Sequence, residues 1–406
     1  MWEEFPPTST AEWEAAIRAD LKGADYDKKL LWRTDEGITV RPFYRAEDLP
    51  NSVGQVRFTG TWEIAAEADI PKEAVRGDLL HEQGATAVQE IAYALAESTG
   101  KQKTFVFSIG TNYFFEIAKL RAARQLWAKL SSEPMIIWSK TSLVDKSLYD
   151  PSANLMRCAT EAMSPIFGGC DFLVILSARF PEHLSRSLGR ILREESHFEE
   201  VSDPGGGSYY IESLTASIAH EVGKVYEGSL QNRDAAVAAA RAAKEKAVAQ
   251  RKTTLVGVNN YPNLSETLPA DASLPATAWR TAEPFEKIRR RVEQAGKRPR
   301  VLLLQRGDVK MRMARSNFCL NLFGCAGFAV KTSDNLEAAD LVVLCSSDSE
   351  YLAFAQDVCK RAKAPVIVAG NPKEHIAALR AAGVQDFAYL GMDAVKFLSH
   401  WQEALK

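Results

Sequence analysis

The chain has 406 residues, which predicts two or three domains rather than one. With 46% apolar residues, 25% charged residues and a net charge of −2, it is expected to form packed cores, and general polyanion binding is disfavoured. No apolar run reaches membrane-spanning length, no signal peptide is recognisable and none of the six cysteines lies in a CxxC pair, so a cytoplasmic protein with reduced thiols is expected.

Residues 1–55 are predicted to form a docking arm. Ser9 and Glu12 have the spacing of a capping box, which marks the start of a helix. Three apolar residues then recur at i, i+4 and i+8 on one helical face: Trp13, Ile17 and Leu21. A pair of strands with a turn is predicted within residues 32–44. Because these elements are too few to fold alone, we expect their apolar face to pack on the rest of the chain or on a partner chain.

Residues 56–260 alternate short apolar runs with amphipathic helices, which is typical of a parallel βα sheet. The clearest strands are predicted at 104–109, 135–139 and 171–176. Helices are predicted at 86–96, 112–130, 154–167, 182–195 and 235–252. A complete eight-stranded barrel typically needs roughly 250 residues. The segment is therefore predicted to form a reduced (β/α) TIM-type barrel of four or five strands.

Residues 261–298 are predicted to be a linker, because the spacing of their prolines at 262, 269, 275 and 284 prevents regular structure. Seven basic residues lie between positions 287 and 300. Since no aromatic stacking platform is interleaved with them, they predict a charged helix face rather than a nucleic-acid site.

Residues 299–406 contain five short apolar runs separated by helical stretches, which predicts a flavodoxin-like doubly wound α/β domain. Asp348 is a predicted N-cap and Gly383 a predicted C′ residue. Ligands of such sheets bind outside the carboxyl ends of the strands, beside the first strand. The loop predicted there spans residues 305–315.

The 305–315 loop lacks the groups that a cofactor would need. It has one glycine, whereas a phosphate-binding loop needs several so that backbone amides can approach the anion. It has no histidine to coordinate a metal. We expect Met311 and Met313 to pack under the start of a helix.

Three residues of the middle segment are candidates for chemistry. His81 precedes a helix and could act as a general acid, although a lone histidine is more often structural. Asn112 and Glu116 are spaced i, i+4 at a helix start, so both point one way. They could hold a ribose, or they could cap and solvate the helix. The glycine-rich string at 203–210 is either a phosphate loop or a structural turn.

Several strings, in one order along nearly the whole chain, resemble the methylmalonyl-CoA mutase family. They are residues 5–7, 20–26, 32–38, 41–44, 84–86, 92–96, 112–124 and 203–210. The resemblance implies a substrate barrel followed by a cobalamin-binding domain. The family interconverts methylmalonyl-CoA and succinyl-CoA by radical chemistry with adenosylcobalamin.

This chain departs from the catalytic members at the positions that carry their chemistry. Their cobalamin domain has an Asp-x-His-x-x-Gly motif in its first loop, and its histidine coordinates cobalt. An ungapped match puts Val309, Met311 and Ala314 at those three places. The serine motif of the third loop persists partly at Ser346, and a double-glycine loop is reduced to Gly370.

The barrel departs as well. Fewer than twenty residues lie between Trp62 and Leu80, where the family's first strands and its CoA-wrapping loops should be. His81 is what remains of a Tyr-His pair of the catalytic members. Asn112 and Glu116 match positions that face the adenosyl group in those members.

The resemblance therefore implies the small, non-catalytic subunit of a heterodimeric mutase, which stabilises a large catalytic subunit. Adenosylcobalamin is expected in that partner and no cofactor in this chain, with no nucleic-acid or membrane partner. The vestigial candidates are His81 for catalysis, Asn112, Glu116, Ser346 and Gly370 for the cofactor, and Met311 at the cobalt-ligand position. Two alternatives stay open: a self-sufficient cobalamin-dependent acyl-CoA mutase with a divergent cofactor site, and a drifted binding or cofactor-chaperone module.

Overall fold

The structure, a computed structural model, describes residues 8–49, 58, 60–228, 230–276 and 279–405. In these ranges the chain forms an N-terminal arm followed by two α/β units, each built on a five-stranded parallel sheet. The string at residues 5–7 and the predicted boundary at 55–56 lie outside the described residues. No helix in the described ranges is long and apolar enough to cross a membrane.

The arm begins with the predicted capping box. Helix α1 (Thr10–Asp20) starts after Ser9, whose hydroxyl accepts a hydrogen bond from the Glu12 amide at 3.2 Å, while Glu12 accepts one from the Ser9 amide at 2.8 Å. The structure describes every residue of α1, and none of them is buried. Trp13 is 39% exposed, with its ring centroid 3.7 Å from that of Phe43. The described residues therefore cover the apolar face of α1 only in part.

The predicted strand pair follows a short helix, α2 (Tyr26–Leu30). Strands β1 (Trp32–Arg33) and β2 (Thr39–Val40) pair antiparallel. Gly37 closes the turn between them with a φ of +80°, a left-handed conformation that favours glycine.

The first α/β unit is an open sheet in the order β3-β7-β6-β5-β4, with every pair parallel. Its strands are β3 (Glu63–Ala65), β4 (Val75–Arg76), β5 (Thr104–Ile109), β6 (Ile136–Thr141) and β7 (Phe172–Val174). Its helices are α3 (Gly77–Gln83), α4 (Ala87–Ser98), α5 (Tyr113–Leu130), α6 (Pro151–Gly168), α7 (Glu182–Arg190), α8 (Tyr209–Gly228) and α9 (Arg233–Ala249). The helix predicted at 182–195 ends in a π-helical turn at Ile191–Glu195.

The two faces of this sheet differ. Phe105 and Phe107 point toward a large core formed with α4, α5, α6 and α8. On the opposite face Trp138 stacks on Phe172 with ring centroids 4.1 Å apart, in a small cluster with Val106. Among the described residues, β3 and β4 are the free edges, and nine residues (66–74) connect them along the chain.

The second unit is a sheet in the order β12-β11-β10-β8-β9, again entirely parallel. Its strands are β8 (Arg300–Gln305), β9 (Ala329–Ser333), β10 (Leu341–Cys345), β11 (Val366–Ala369) and β12 (Asp386–Ala388). Its helices are α10 (Glu283–Gln294), α11 (Val309–Cys325), α12 (Tyr351–Arg361), α13 (Ile376–Ala381) and α14 (Ala394–Ala404). Counted within the unit, the strand order is 2-1-3-4-5.

The predicted linker contains a helix that belongs to the second core. Phe285, Ile288 and Val292 of α10 are buried with residues of α11 and α14. Its basic residues are largely engaged: Arg289 pairs with Glu293 at 3.3 Å, and others bond to backbone carbonyls or neighbouring carboxylates. A charged helix face accounts for the basic run.

One predicted helix cap is confirmed and one is wrong. Gly383 follows α13 with a φ of +107°, as expected for a C′ residue. Asp348 is not the N-cap of α12, because that helix starts after Glu350. The Asp348 carboxylate instead pairs with the Arg315 guanidinium at 3.0 Å.

Candidate functional site

A cavity of about 470 Å³ lies at the carboxyl ends of β5 and β6 in the first unit. Residues 110–112 after β5 and residues 144–145 after β6 form part of its wall. The β1–β2 hairpin and the end of α9 also contribute lining residues. Carboxyl ends of parallel strands are the usual position of ligand sites in α/β folds. All three candidates of the middle segment, His81, Asn112 and Glu116, line this cavity.

His81 lies on α3 and is bonded on one side of its ring. Its Nε2 atom is 2.9 Å from the Ser142 hydroxyl, and its Nδ1 atom is 3.9 Å from Glu90 Oε2. Burial lowers the pKa of His81 well below its usual range, and the charges of Lys244 and Lys119 lower it further. The lowered pKa favours the neutral imidazole, whose Nε2 atom is within hydrogen-bonding distance of the Ser142 hydroxyl.

Asn112 and Glu116 differ in their surroundings, since Asn112 is exposed and Glu116 is buried. Asn112 is the N-cap of α5, but its side chain makes no capping hydrogen bond. Glu116 is buried and accepts a hydrogen bond from the Gly110 amide at 3.0 Å. Both residues line the cavity.

A buried ion-pair cluster forms part of the cavity wall through Lys119 and Glu116, and sequence reasoning missed it. The Lys119 ammonium is 2.5 Å from Glu116 and 3.1 Å from Glu90. Burial raises the pKa of Glu90 to about 7, with Lys119 opposing that shift. Burial alone would lower the pKa of Lys119, but Glu116 and Glu90 hold it above its usual value. The sequence signal for this cluster is Glu90, a charged residue within the mainly apolar string 88–95.

The glycine-rich string at 203–210 is a structural turn. Arg121 of α5 pairs with Asp203 and, at 2.6 Å, with Glu212 in the first turn of α8. Glu212 also accepts a hydrogen bond from the Gly207 amide at 3.0 Å. These contacts fix the turn to α5 and use the groups that a phosphate would need.

In the second unit the predicted 305–315 loop is mostly helical. The loop itself is residues 306–308, because Asp308 caps α11 through a 2.8 Å hydrogen bond from the Met311 amide. Met311 therefore lies in the first turn of a helix and is half-buried. Met313 is 52% exposed, so the expectation that it packs under the helix start is wrong.

The other two cofactor candidates, Ser346 and Gly370, are each in contact with a charged side chain of this chain. Ser346 is bonded to Glu350 and to the Arg306 carbonyl, both at 2.8 Å. Hydrogen bonds from Ser347 and Ser346 lower the pKa of Glu350 to about 2. Gly370 has a φ of +143°, and a Cβ there would lie 3.0 Å from the guanidinium of Arg315.

The structure therefore divides the candidates into two groups. His81, Asn112 and Glu116 share the cavity of the first unit, whereas Ser346 and Gly370 follow strands β10 and β11 of the second. At the second group the Arg315 guanidinium lies over Gly370, and a thioether rather than an imidazole stands at position 311. No cluster of three or more potential metal ligands occurs among the described residues, and all six cysteines are free thiols.

Comparison with known proteins supports the resemblance seen in the sequence. The family described as methylmalonyl-CoA mutase matches residues 96–299. The chain is 29% identical, over 604 aligned positions, to the methylmalonyl-CoA mutase small subunit of Porphyromonas gingivalis, with 98% of this chain and 97% of the relative covered. Since this chain has 406 residues, about 200 of the 604 positions have no counterpart in it.

Other relatives show how much of a longer protein the match covers. The chain is 30% identical over 388 positions to the methylmalonyl-CoA mutase small subunit of Streptomyces virginiae, which covers 79% of this chain and 62% of that protein. It is 32% identical over 232 positions to the methylmalonyl-CoA mutase of Cereibacter sphaeroides, covering 46% of this chain and 33% of that protein.

Proposed function

This chain belongs to the methylmalonyl-CoA mutase family, and from that premise we propose that it is the non-catalytic small subunit of a heterodimeric, adenosylcobalamin-dependent mutase. In this proposal a large partner subunit interconverts methylmalonyl-CoA and succinyl-CoA, and this chain stabilises it in the cytoplasm. The observation that carries the proposal is the position of Arg315. It lies one helical turn after Met311, the residue that the resemblance places at the cobalt-ligand position, and its guanidinium covers Gly370 and pairs with Asp348.

The strand order supports a reduced barrel as the first domain. In a closed barrel the first strand pairs with the last one. Here β3, the first strand of the unit, pairs with β7, the last, while β3 and β4 are not neighbours. A closed barrel that lost several consecutive strands directly after its first strand would keep this order, with the first strand still paired to the last. Nine residues connect β3 to β4, and about 200 aligned positions of the Porphyromonas gingivalis relative have no counterpart here.

The second unit is proposed to be a degenerate cobalamin-binding domain of flavodoxin-like topology. Its strand order 2-1-3-4-5 supports this assignment. Without an imidazole at position 311 and with Ser346 bonded internally, we propose that the domain holds no cobalamin and keeps its fold as a scaffold.

Purification from the native source tests the subunit role. We expect this chain to co-purify with a large mutase chain in a stoichiometric complex that carries all the bound cobalamin. The chain expressed alone should show no methylmalonyl-CoA turnover with added adenosylcobalamin. Turnover by the isolated chain, with a cobalamin absorption spectrum retained after desalting, would establish the self-sufficient mutase instead.

A drifted binding module is the second candidate, and the 470 Å³ cavity favours it. That function predicts a homo-oligomer and no stoichiometric large subunit. The same purification therefore separates the two proposals.

A further inference from the structure

The cavity of the first unit contains charged groups that have no partner in the chain. In the part of the chain that the structure describes, no hydrogen bond or ion pair forms with the side chains of Asp145, Arg33 or Lys252. All three line the cavity. The buried lysines around it behave differently, since Lys119 and Lys146 are each paired with carboxylates. Charges that face a cavity unpaired can interact with a ligand without first breaking an ion pair.

At the acidic end of the cavity, three side chains approach Gly110. A Cβ at this position would lie 3.3 Å from Asp145 Oδ2, 3.4 Å from Glu116 Oε1 and 3.8 Å from His81 Cε1. Glu116 is engaged by Lys119 and by the Gly110 amide, and His81 by Ser142. Asp145 is therefore the acceptor that this end offers to a ligand.

The cationic groups lie on two different elements at the rim. Arg33 belongs to β1 of the hairpin, and Lys252 follows the end of α9. Both side chains are exposed. A guanidinium and an ammonium lining one cavity suit a carboxylate, because charge-assisted hydrogen bonds to a guanidinium can be bidentate.

The lining as a whole is close to electrically neutral. Its cations are Arg33, Lys119, Lys244 and Lys252, and its anions are Asp35, Glu36, Glu116 and Asp145. A ligand with a net charge would be repelled by half of these groups, whereas a molecule with one charge of each sign complements them. Between the charged groups the wall is apolar, with Phe115, Val144 and Ala247.

The acidic end is held rigidly from the opposite side. The segment that carries Asp145 is bonded to the residues leading into α10 and to α10 itself. The Thr281 amide donates to the Val144 carbonyl at 3.0 Å, and Glu286 accepts a hydrogen bond from the Leu148 amide at 2.5 Å. Because the backbone that carries Asp145 is held in place, only its short side chain has to be ordered when a ligand binds.

We propose that this cavity binds a small organic zwitterion, with its ammonium group on Asp145 and its carboxylate on Arg33 and Lys252. An apolar spacer between the two charges lies along Phe115 and Ala247. The site is one of binding without turnover. It is a property of this chain by itself and does not depend on a partner subunit.

Three probes of matched shape test the proposal: 6-aminohexanoate, hexanoate and hexylamine. They share an apolar chain and differ in which charged ends they carry. We expect the zwitterion to bind the purified full-length chain about tenfold more tightly than either singly charged probe, by calorimetry and ligand-observed NMR. Equal affinities for the three probes, or no binding by any of them, would overturn the proposal.

Substitutions in the cavity test which residues bind the ammonium end and the carboxylate end of the ligand. Asp145→Asn should abolish the preference for 6-aminohexanoate over hexanoate, and Arg33→Gln with Lys252→Gln should abolish its preference over hexylamine. Lys246→Gln, an exposed charge change on α9 away from the cavity, is the matched control and should leave all three affinities unchanged. Thermal unfolding of each variant verifies the fold. A folded Asp145→Asn protein that keeps the full preference contradicts the assignment.

Discussion

The ammonium of Lys119 lies 3.1 Å from Glu90 Oε2, and neither side chain is exposed to solvent. Removing one partner of a buried pair leaves the other charge without compensation. We therefore expect Lys119→Met to lower the free energy of unfolding by about 3–5 kcal/mol. Urea unfolding followed by circular dichroism measures this loss.

The double variant Lys119→Met/Glu90→Gln is the control for this interpretation. It removes both charges, so part of the lost stability should return, and the two substitutions should be non-additive. A Lys119→Met protein as stable as the native one would contradict this interpretation, because it would show that Glu90 and Glu116 carry no uncompensated charge once Lys119 is removed.

The same cluster makes stability depend on pH. Burial raises the pKa of Glu90 to about 7, above the value of about 4.3 expected in the unfolded chain. The folded state thus binds this proton more tightly, and the stabilising contribution is complete below the unfolded pKa and is lost as the pH rises through the folded one. Between pH 5 and 7, Glu90 is expected to remove at most about 1.4 kcal/mol of stability per pH unit.

Glu90→Gln isolates this effect, because the amide cannot titrate. Unfolding free energies measured at pH 5, 6 and 7 should fall less steeply in the variant than in the native protein. Glu161, whose pKa burial raises to about 8 against the opposing charge of Lys146, contributes equally to both and cancels in the difference. Parallel curves for the two proteins would contradict the shifted pKa of Glu90.

Trp13 on the arm is expected to matter for assembly more than for folding. It is 39% exposed in this chain, and α1 buries no residue although all of it is described. If α1 docks on a large subunit, Trp13→Ala should weaken that complex by at least about 1–2 kcal/mol, since buried aromatic residues dominate interface energies. The melting temperature of the isolated chain should barely change. Calorimetric titration against the large chain measures the affinity.

Met156→Ala is the matched control for the arm. Met156 is apolar and 65% exposed, but it lies on α6 of the first unit. It should leave complex formation unchanged. Equal effects of the two substitutions would argue that exposed apolar area in general, and not the arm, drives association.

Local structure is largely predictable from the sequence because the signals are local. The capping box at Ser9, the buried run of β5 and the C′ glycine at 383 each depend on residues within a few positions of one another. Periodicity does not predict that His81, Asn112 and Glu116 surround one cavity, because residues about 30 positions apart meet only through the parallel pairing of β4, β5 and β6.

The errors have a common physical origin in charges that pair over long distances. Asp348 has the residue type of an N-cap, yet Arg315, 33 positions earlier, takes its carboxylate. Lys119 and Arg121 resemble the surface of an amphipathic helix, whereas both are buried against carboxylates on other helices. A single sequence carries no signal of such partners.

The substitution Met311→His tests whether the second unit could still take cobalamin. Met311 and Arg315 are spaced i, i+4 on α11, so a histidine at 311 would neighbour the guanidinium that covers Gly370. We therefore expect the variant, mixed with adenosylcobalamin and desalted, to retain no cobalamin absorption. The large subunit purified in parallel, with its expected Asp-x-His-x-x-Gly motif, is the positive control. Cobalamin retained by Met311→His would mean that the groove has lost just its metal ligand, and that Arg315 moves aside when a ligand enters.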